Sequence, residues 1–240
     1  MGESYSTLGN FFEYLNSDCD YEKWSQYLIE RLRAFNAGST GIDIGCGNGY
    51  FTRALIKSGY IVSGFDVSAP MLQKAKELAA KEGVKAEFLL GDLTKLKLPC
   101  KVDFAVCIND CVNYISGEKL KNAFLKVYQN LKKGGVFIFD ISSENKLKNV
   151  LGNNMFGEDK DEIAYLWFNS LSSDSVTMDL TFFVKNKNGG YDRFEERHVQ
   201  YIHSEDKIVT LLKEIGFLVE TEGHLGGDKS QRINFLCRKI

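Results

Sequence analysis

The stretch GIDIGCGNGY, residues 41–50, decides how the rest of the chain is read. Its first half, with Ser39 and Thr40 ahead of it, is a short apolar run that predicts a buried strand ending at Gly45. Its second half, Gly45-Cys46-Gly47-Asn48-Gly49, puts glycines where the backbone must turn tightly and approach a ligand closely. The helix expected to follow, Asn48–Lys57, presents free N–H groups at its start and stops at Ser58-Gly59. Further on, Asp66 closes the next apolar run, Tyr60–Asp66. A carboxylate at that distance can accept from both hydroxyls of a ribose, the role of the acidic residue in dinucleotide-binding folds.

The glycine spacing is G-x-G-x-G followed by Tyr50, which departs from the G-x-G-x-x-G dinucleotide fingerprint. Asp43 also sits inside the first strand, where a pyrophosphate would not welcome a carboxylate. Both features disfavour an NAD-dependent oxidoreductase. A ligand with a positive centre and no phosphate suits the loop better, and S-adenosylmethionine (SAM) is such a ligand.

Outward from this loop the alternation repeats. A helix is expected over Pro70–Lys81, strands over Ala86–Gly91 and Val102–Asn109, and a helix over Glu118–Leu131. Lys132-Lys133-Gly134-Gly135 then predicts a turn into a strand, Val136–Ile141. Strands alternating with helices of about 10–15 residues imply βαβ units and a parallel sheet. Ahead of it, Trp24, Tyr27, Leu28, Arg31 and Leu32 share one helical face. After residue 155 the period becomes two: Val176, Met178, Leu180, Phe182 and Val184 alternate with mostly polar residues. Asn188-Gly189 signals a hairpin into Tyr191–His203, with Glu162–Asn169 expected to pair alongside. A helix, Glu205–Ile215, and two strands, Phe217–His224 and Arg232–Arg238, follow. The expected fold is therefore α/β, a doubly wound Rossmann-like seven-stranded sheet with an inserted antiparallel β lid. Its expected parts are an N-terminal helical cover (1–36), a core (37–154 and 204–240) and the insertion (155–203).

Composition narrows the function. At 240 residues the chain is one large domain, or one domain with an insertion. Thirty Lys and Arg against 32 Asp and Glu leave no basic excess, which disfavours nucleic acid as a partner. No run approaches the ~18 apolar residues of a membrane span, and the first residues lack a signal-peptide pattern. Six cysteines form no CxxC pair and only three histidines occur, so no metal site is expected. The expectation is a reduced, cytoplasmic protein, monomeric or homodimeric.

Five segments together resemble the class I SAM-dependent methyltransferases. GIDIGCGNG is similar to their first motif, GFDVS to the ribose-binding acidic motif, and FLLGDL to the strand whose aspartate, here Asp92, accepts from the adenine amino group. VDFAVCIND and LKKGGVFIFDI are similar to the fourth- and fifth-strand motifs. Over nearly the whole chain, YSTLGNFFEYLNSDCDYEKW, DCVNYI and FFVKNKNGGYDRFEERHVQYI resemble a group of bacterial small-molecule methyltransferases of mostly unassigned substrate. Sugar-nucleotide N-methyltransferases and glycine N-methyltransferase are more distant likenesses. Cys111 departs from the Ser or Thr usual after the fourth strand.

The resemblance implies SAM as cofactor and a small-molecule acceptor. It places Gly45, Cys46, Gly47, Asp66, Val67, Met71, Gly91, Asp92 and Leu93 beside the cofactor, with Tyr14 and Trp24 covering it from the N-terminal extension. Bland readings stand beside these. Trp24 equally suits core packing, Asp92 could cap the turn GDLTKL, and Asp43 could orient the glycine loop rather than touch the cofactor. Asn109 and Asp110 end the fourth strand, where the carboxyl ends of parallel strands build the site. Tyr114, His198 and His203 could deprotonate an acceptor, the first two being the catalytic candidates. The sulfonium is already a good leaving group, so a base is needed only where the acceptor must lose a proton. The alternative from another class is a catalytically silent SAM-binding regulatory module, which the intact Gly45, Gly47, Asp66 and Asp92 argue against.

Overall fold

The computed structural model describes residues 20–160 and 162–240. Helix α1 (Tyr21–Ala34) leads into β1 (Thr40–Ile44), α2 (Tyr50–Lys57), β2 (Ile61–Asp66), α3 (Ala69–Lys81), β3 (Glu87–Leu90) and β4 (Val102–Cys107). Helix α4 (Gly117–Asn130) and β5 (Leu131–Ser142) follow. Side chains start the helices where the sequence allows it. Asp20 accepts from the Lys23 N–H at 3.0 Å to cap α1, and Ser68 accepts from the Met71 N–H to cap α3, with Pro70 in its first turn.

The main sheet has seven strands in the order β10-β11-β5-β4-β1-β2-β3, where β10 is Phe217–Gly223 and β11 is Arg232–Lys239. Strands β1 to β5 run parallel, and β11 lies antiparallel between β5 and β10. Alternate residues feed opposite faces, as the pleat requires. Phe137, Phe139, Ile141 and Phe235 pack with Leu120, Phe124 and Val127 of α4, and with Ile208 and Leu212 of α5 (Glu205–Ile215). Phe104, Val106, Val136 and Ile138 face the other way, onto Trp24, Leu28 and Leu32 of α1 and Phe51 and Leu55 of α2.

Between β5 and α5 stands a second sheet of four antiparallel strands: β6 (Met155–Asp159), β7 (Ile163–Leu171), β8 (Ser175–Lys185) and β9 (Tyr191–Tyr201). Val176, Met178, Leu180 and Phe182 form its buried face and pack on Leu147 and Leu151 of a π-helical turn, Lys146–Leu151. Its two chain connections meet on one side chain. Asn113 Nδ2 donates to the carbonyls of Ser142 (3.4 Å) and Tyr201 (3.0 Å), and its Oδ1 accepts from the Ser142 N–H at 2.9 Å.

Two details differ from the sequence expectations. The Lys132–Gly135 segment is not a separate turn, because Leu131 pairs with Val102 across an irregular register and draws the segment into β5. His203 lies beyond the end of β9, buried, with Nε2 3.0 Å from the Ile115 carbonyl oxygen. Among the described residues, no helix is long and apolar enough to cross a membrane.

Candidate active site

The strand order reverses at the β4–β1 boundary, the place where open α/β sheets bind ligands at the carboxyl ends of their strands. The glycine loop leaves β1 there. Gly45, Gly47 and Gly49 all have positive φ, at 69°, 53° and 75°. At Gly45 the requirement is double, since a Cβ would also overlap the Sγ of Cys111. Asp66 braces the loop from β2. Its Oδ2 accepts from the Gly47 N–H and its Oδ1 from the Ser68 N–H, both at 2.8 Å. Each oxygen keeps a further lone pair for a ligand hydroxyl. Burial pushes the Asp66 carboxyl up, and these N–H groups oppose that.

Asp43 is buried beneath the loop and accepts from Thr52 Oγ1 at 2.6 Å, so it ties β1 to α2. Burial pushes its carboxyl up to about 7. Of the other residues expected near the cofactor, Met71 is buried with its Cε facing Gly47, and the Cys46 side chain packs with Leu72, Ala75 and Phe88. Val67 is exposed, Gly91 N–H donates to the Asp66 carbonyl, and Leu93 is a core residue. Asp92 is exposed and caps a short 3-10 turn, its Oδ1 accepting from the N–H and Oγ1 of Thr94. Tyr14 lies outside the described residues.

After β4, Asn109 and Asp110 both take the left-handed conformation (φ 69° and 51°). Their N–H groups donate to the two carboxylate oxygens of buried Asp140, at 2.7 and 2.9 Å. Arg232, from β11, donates to Asp140 Oδ2 and reaches Asn109 Oδ1 at 3.4 Å. Asp110 Oδ2 accepts from Ser142 Oγ (2.9 Å) and from Gln200 Nε2 (3.2 Å) of the inserted sheet. Burial would raise the Asp110 carboxyl, but Arg232 and Lys146, with these hydrogen bonds, hold it below the usual range. Burial pushes Asp140 the other way, upward, against the same Arg232.

The structure brings Tyr114 and His198 together, their rings edge to face with centroids 6.0 Å apart. Tyr114 ends the 3-10 turn Cys111–Tyr114, and His198 is buried on β9 with Nε2 3.1 Å from Glu196 Oε2. Trp24 is buried in α1, edge to face with Phe51 of α2 at 5.4 Å, and under the Arg232 guanidinium at 4.7 Å. Asp140, Arg232, Glu196 and Gln200 fall outside the sequence-based expectations. Glu196 and Gln200 carried a usable signal, since both share the face of His198 at a spacing of two. Asp140 and Arg232 carried none, as they meet across 92 residues of chain.

Residues 42–135 match the sequence profile of a methyltransferase domain. A crystal structure of a SAM-dependent methyltransferase from Clostridium acetobutylicum ATCC 824 is 32% identical, with 97% of each chain covered and a TM-score of 0.90. The chain belongs to the class I SAM-dependent methyltransferases. The methyltransferase is also 30% identical to YqeM of Bacillus subtilis (strain 168), over 89% of its own length and 86% of YqeM. A Geobacillus sp. (strain WCH70) protein, like YqeM named among the methyltransferases, is 28% identical over 98% of this chain and 100% of its own. SAM is its cofactor, and the geometry fits it. The loop's three glycines hold positive φ in a turn that brings backbone to the carboxyl ends of the strands, Asp66 keeps acceptor capacity, and the Trp24 indole nitrogen is buried with no partner among the described residues.

Proposed function

We propose that the methyltransferase passes a methyl group to a nitrogen or oxygen of a small-molecule acceptor seated between the Cys111–Tyr114 turn and the inserted sheet. The observation that carries this reading is the meeting of Tyr114 and His198, with Glu196 behind the histidine, beside the carboxyl end of β4. Bound SAM supplies an electrophilic methyl on a sulfonium, open to in-line attack.

The chain's own residues then have three tasks. The glycine loop and Asp66 would hold the nucleoside, the Asp66 carboxylate accepting from ribose hydroxyls, and Asp92 would offer an acceptor for the adenine amino group. Asn109 and Asp110, held by Asp140, set the edge of the cleft on the β4 side. His198, oriented by Glu196, takes the proton that the acceptor N–H or O–H releases as its lone pair bonds to carbon. Positioning of this kind contributes about 7–11 kcal/mol toward a barrier. A base adds on the order of 10²–10⁴-fold where a proton must leave. The parts read from the sequence keep their roles here: residues 1–36 as cover, 155–203 as acceptor lid, and the remainder as cofactor core. We place the protein in the cytoplasm, as a monomer or homodimer, with no nucleic-acid or membrane partner.

The experiment is methyl transfer from isotope-labelled SAM to a whole-cell extract, followed by mass spectrometry of its small-molecule and macromolecular fractions. Labelled product on a nitrogen or oxygen, made by the wild type and lost in His198→Asn with SAM binding retained, is the expected result. Label appearing only on protein or nucleic acid would overturn the assignment. SAM binding without any labelled product would favour the silent regulatory module.

A further inference from the structure

Arg53, one turn into α2, is only 5% exposed, and the two sides of its guanidinium bond to different parts of the fold. Nη1 donates to the Asn48 carbonyl of the glycine loop at 2.6 Å. Nε donates to Glu82 Oε1 at 2.9 Å, just past the end of α3. Lys57 Nζ holds the other Glu82 oxygen at 2.6 Å. The Lys57 ammonium, with Arg53 beside it, keeps the Glu82 carboxyl below the usual carboxylate range. A buried guanidinium is costly unless its hydrogen bonds are made, and the rigid fork of arginine makes both at once.

The loop needs this bond because its ordinary partner is taken. In an uninterrupted helix the Asn48 carbonyl would accept from the Thr52 N–H one turn further on. Here the Thr52 N–H donates to Asp43 instead, as does the Thr52 hydroxyl. Arg53 supplies the donor that is missing. Other groups of the loop are committed as well. The Gly49 N–H donates to the Cys46 carbonyl at 2.8 Å, and the Tyr50 N–H to Asn48 Oδ1 at 3.2 Å. The Gly47 N–H donates to Asp66, whose other oxygen holds the Ser68 N–H at the start of α3.

The loop is thus moored to both ends of one helix, to its start through Asp66 and to its end through Arg53 and Glu82. We propose that Arg53 is a positioning residue for SAM, holding the Asn48–Gly49 peptide with its carbonyl turned into the protein so that the loop keeps its cofactor-receiving shape. Glu82 acts on SAM only through Arg53. The inference rests on SAM as the cofactor and is independent of the acceptor and of any base.

The test is calorimetric SAM binding to the cofactor-free protein, read beside thermal unfolding and the amide NMR signals of Gly47, Asn48 and Gly49. Arg53→Met keeps the bulk and removes both donors, while Lys57 still neutralises Glu82. SAM should bind at least about tenfold more weakly. Glu82→Leu should weaken SAM about threefold or more and shift the same loop signals. In the Arg53→Met background Glu82→Leu should cost no further SAM affinity, because the two residues then have no shared contact to lose. Wild-type affinity in folded Arg53→Met, or a lower melting temperature with affinity unchanged, would overturn the proposal and leave Arg53 a packing residue. Additive losses in the double variant would overturn the role given to Glu82. Should Arg53→Met fail to fold, Glu82→Leu, at a surface position, carries the test. Unchanged SAM affinity there, or weaker binding with the loop signals unmoved, overturns the proposal.

Discussion

Gln200 of the inserted sheet donates a hydrogen bond from Nε2 to Asp110 Oδ2, 3.2 Å away, at the left-handed corner after β4. The two residues are 90 positions apart in sequence, and their contact ties the second sheet to the edge of the cofactor cleft. Gln200→Leu leaves a partly buried carboxylate with one donor fewer, a loss of up to about 1.5–3 kcal/mol for a hydrogen bond to a charged group. Urea unfolding should register that loss, and amide exchange should speed up in β9 more than in β4. Unaltered exchange in β9 would mean the contact joins nothing.

Asp66→Ala removes the carboxylate that braces Gly47 and Ser68. SAM affinity, measured by calorimetry, should fall at least about tenfold, since an orphaned hydroxyl costs about 1–3 kcal/mol. Wild-type affinity in a folded variant would remove Asp66 from the cofactor site.

Gly45 and Gly47 both have positive φ, so alanine at either carries a backbone cost of about 1–2 kcal/mol. They differ in what a Cβ would meet. At Gly47 it is the flexible end of Met71, at 3.2 Å, while at Gly45 it is the Cys111 thiol, in overlap. Gly45→Ala should therefore destabilise more than Gly47→Ala, by about 1–3 kcal/mol of overpacking. Adding Cys111→Ala should narrow the gap in thermal unfolding. A gap that survives the second substitution would place the strain elsewhere.

The Asp43 carboxyl has an ordinary value of 3.8 and is pushed up to about 7 by burial. Between those values the folded protein holds a proton that the unfolded chain has released, so this group's stabilisation is lost as pH rises through about 7. Asp43→Asn removes the titration and keeps an acceptor for Thr52. Relative to wild type, the variant should gain stability between about pH 4 and about pH 8 in urea titrations of the cofactor-free protein. A difference that stays flat with pH would refute the raised value.

The core was legible because its signals are local. A glycine loop, a carboxylate at the end of β2 and helices alternating with strands each occupy a few consecutive residues. So was the inserted sheet, through its period of two and Asn188-Gly189. What escaped depends on distant partners. The placement of β11 between β5 and β10 carries no mark in Arg232–Lys239, which reads as any apolar strand. The Arg232–Asp140 pair exists only once that strand is in place. Lys132–Gly135 has the composition of a turn, and pairing between Leu131 and Val102 overrode it. Trp24 was open between core and cofactor because the same helical face serves both, and its unpartnered nitrogen becomes visible only when neighbours are placed.

Asn113 grips the strand entering the second sheet and the strand leaving it with a single amide. The whole intervening segment thus departs and returns at one point, like a bead hung from a clasp. Over evolutionary time such a segment can be traded between relatives without severing any pairing of the seven-stranded sheet. An exchange of this kind must carry Asn113, or an equivalent amide, along with it. A graft made without that residue would leave the Ser142 and Tyr201 backbone groups to find other partners, and the joint would loosen before either sheet did.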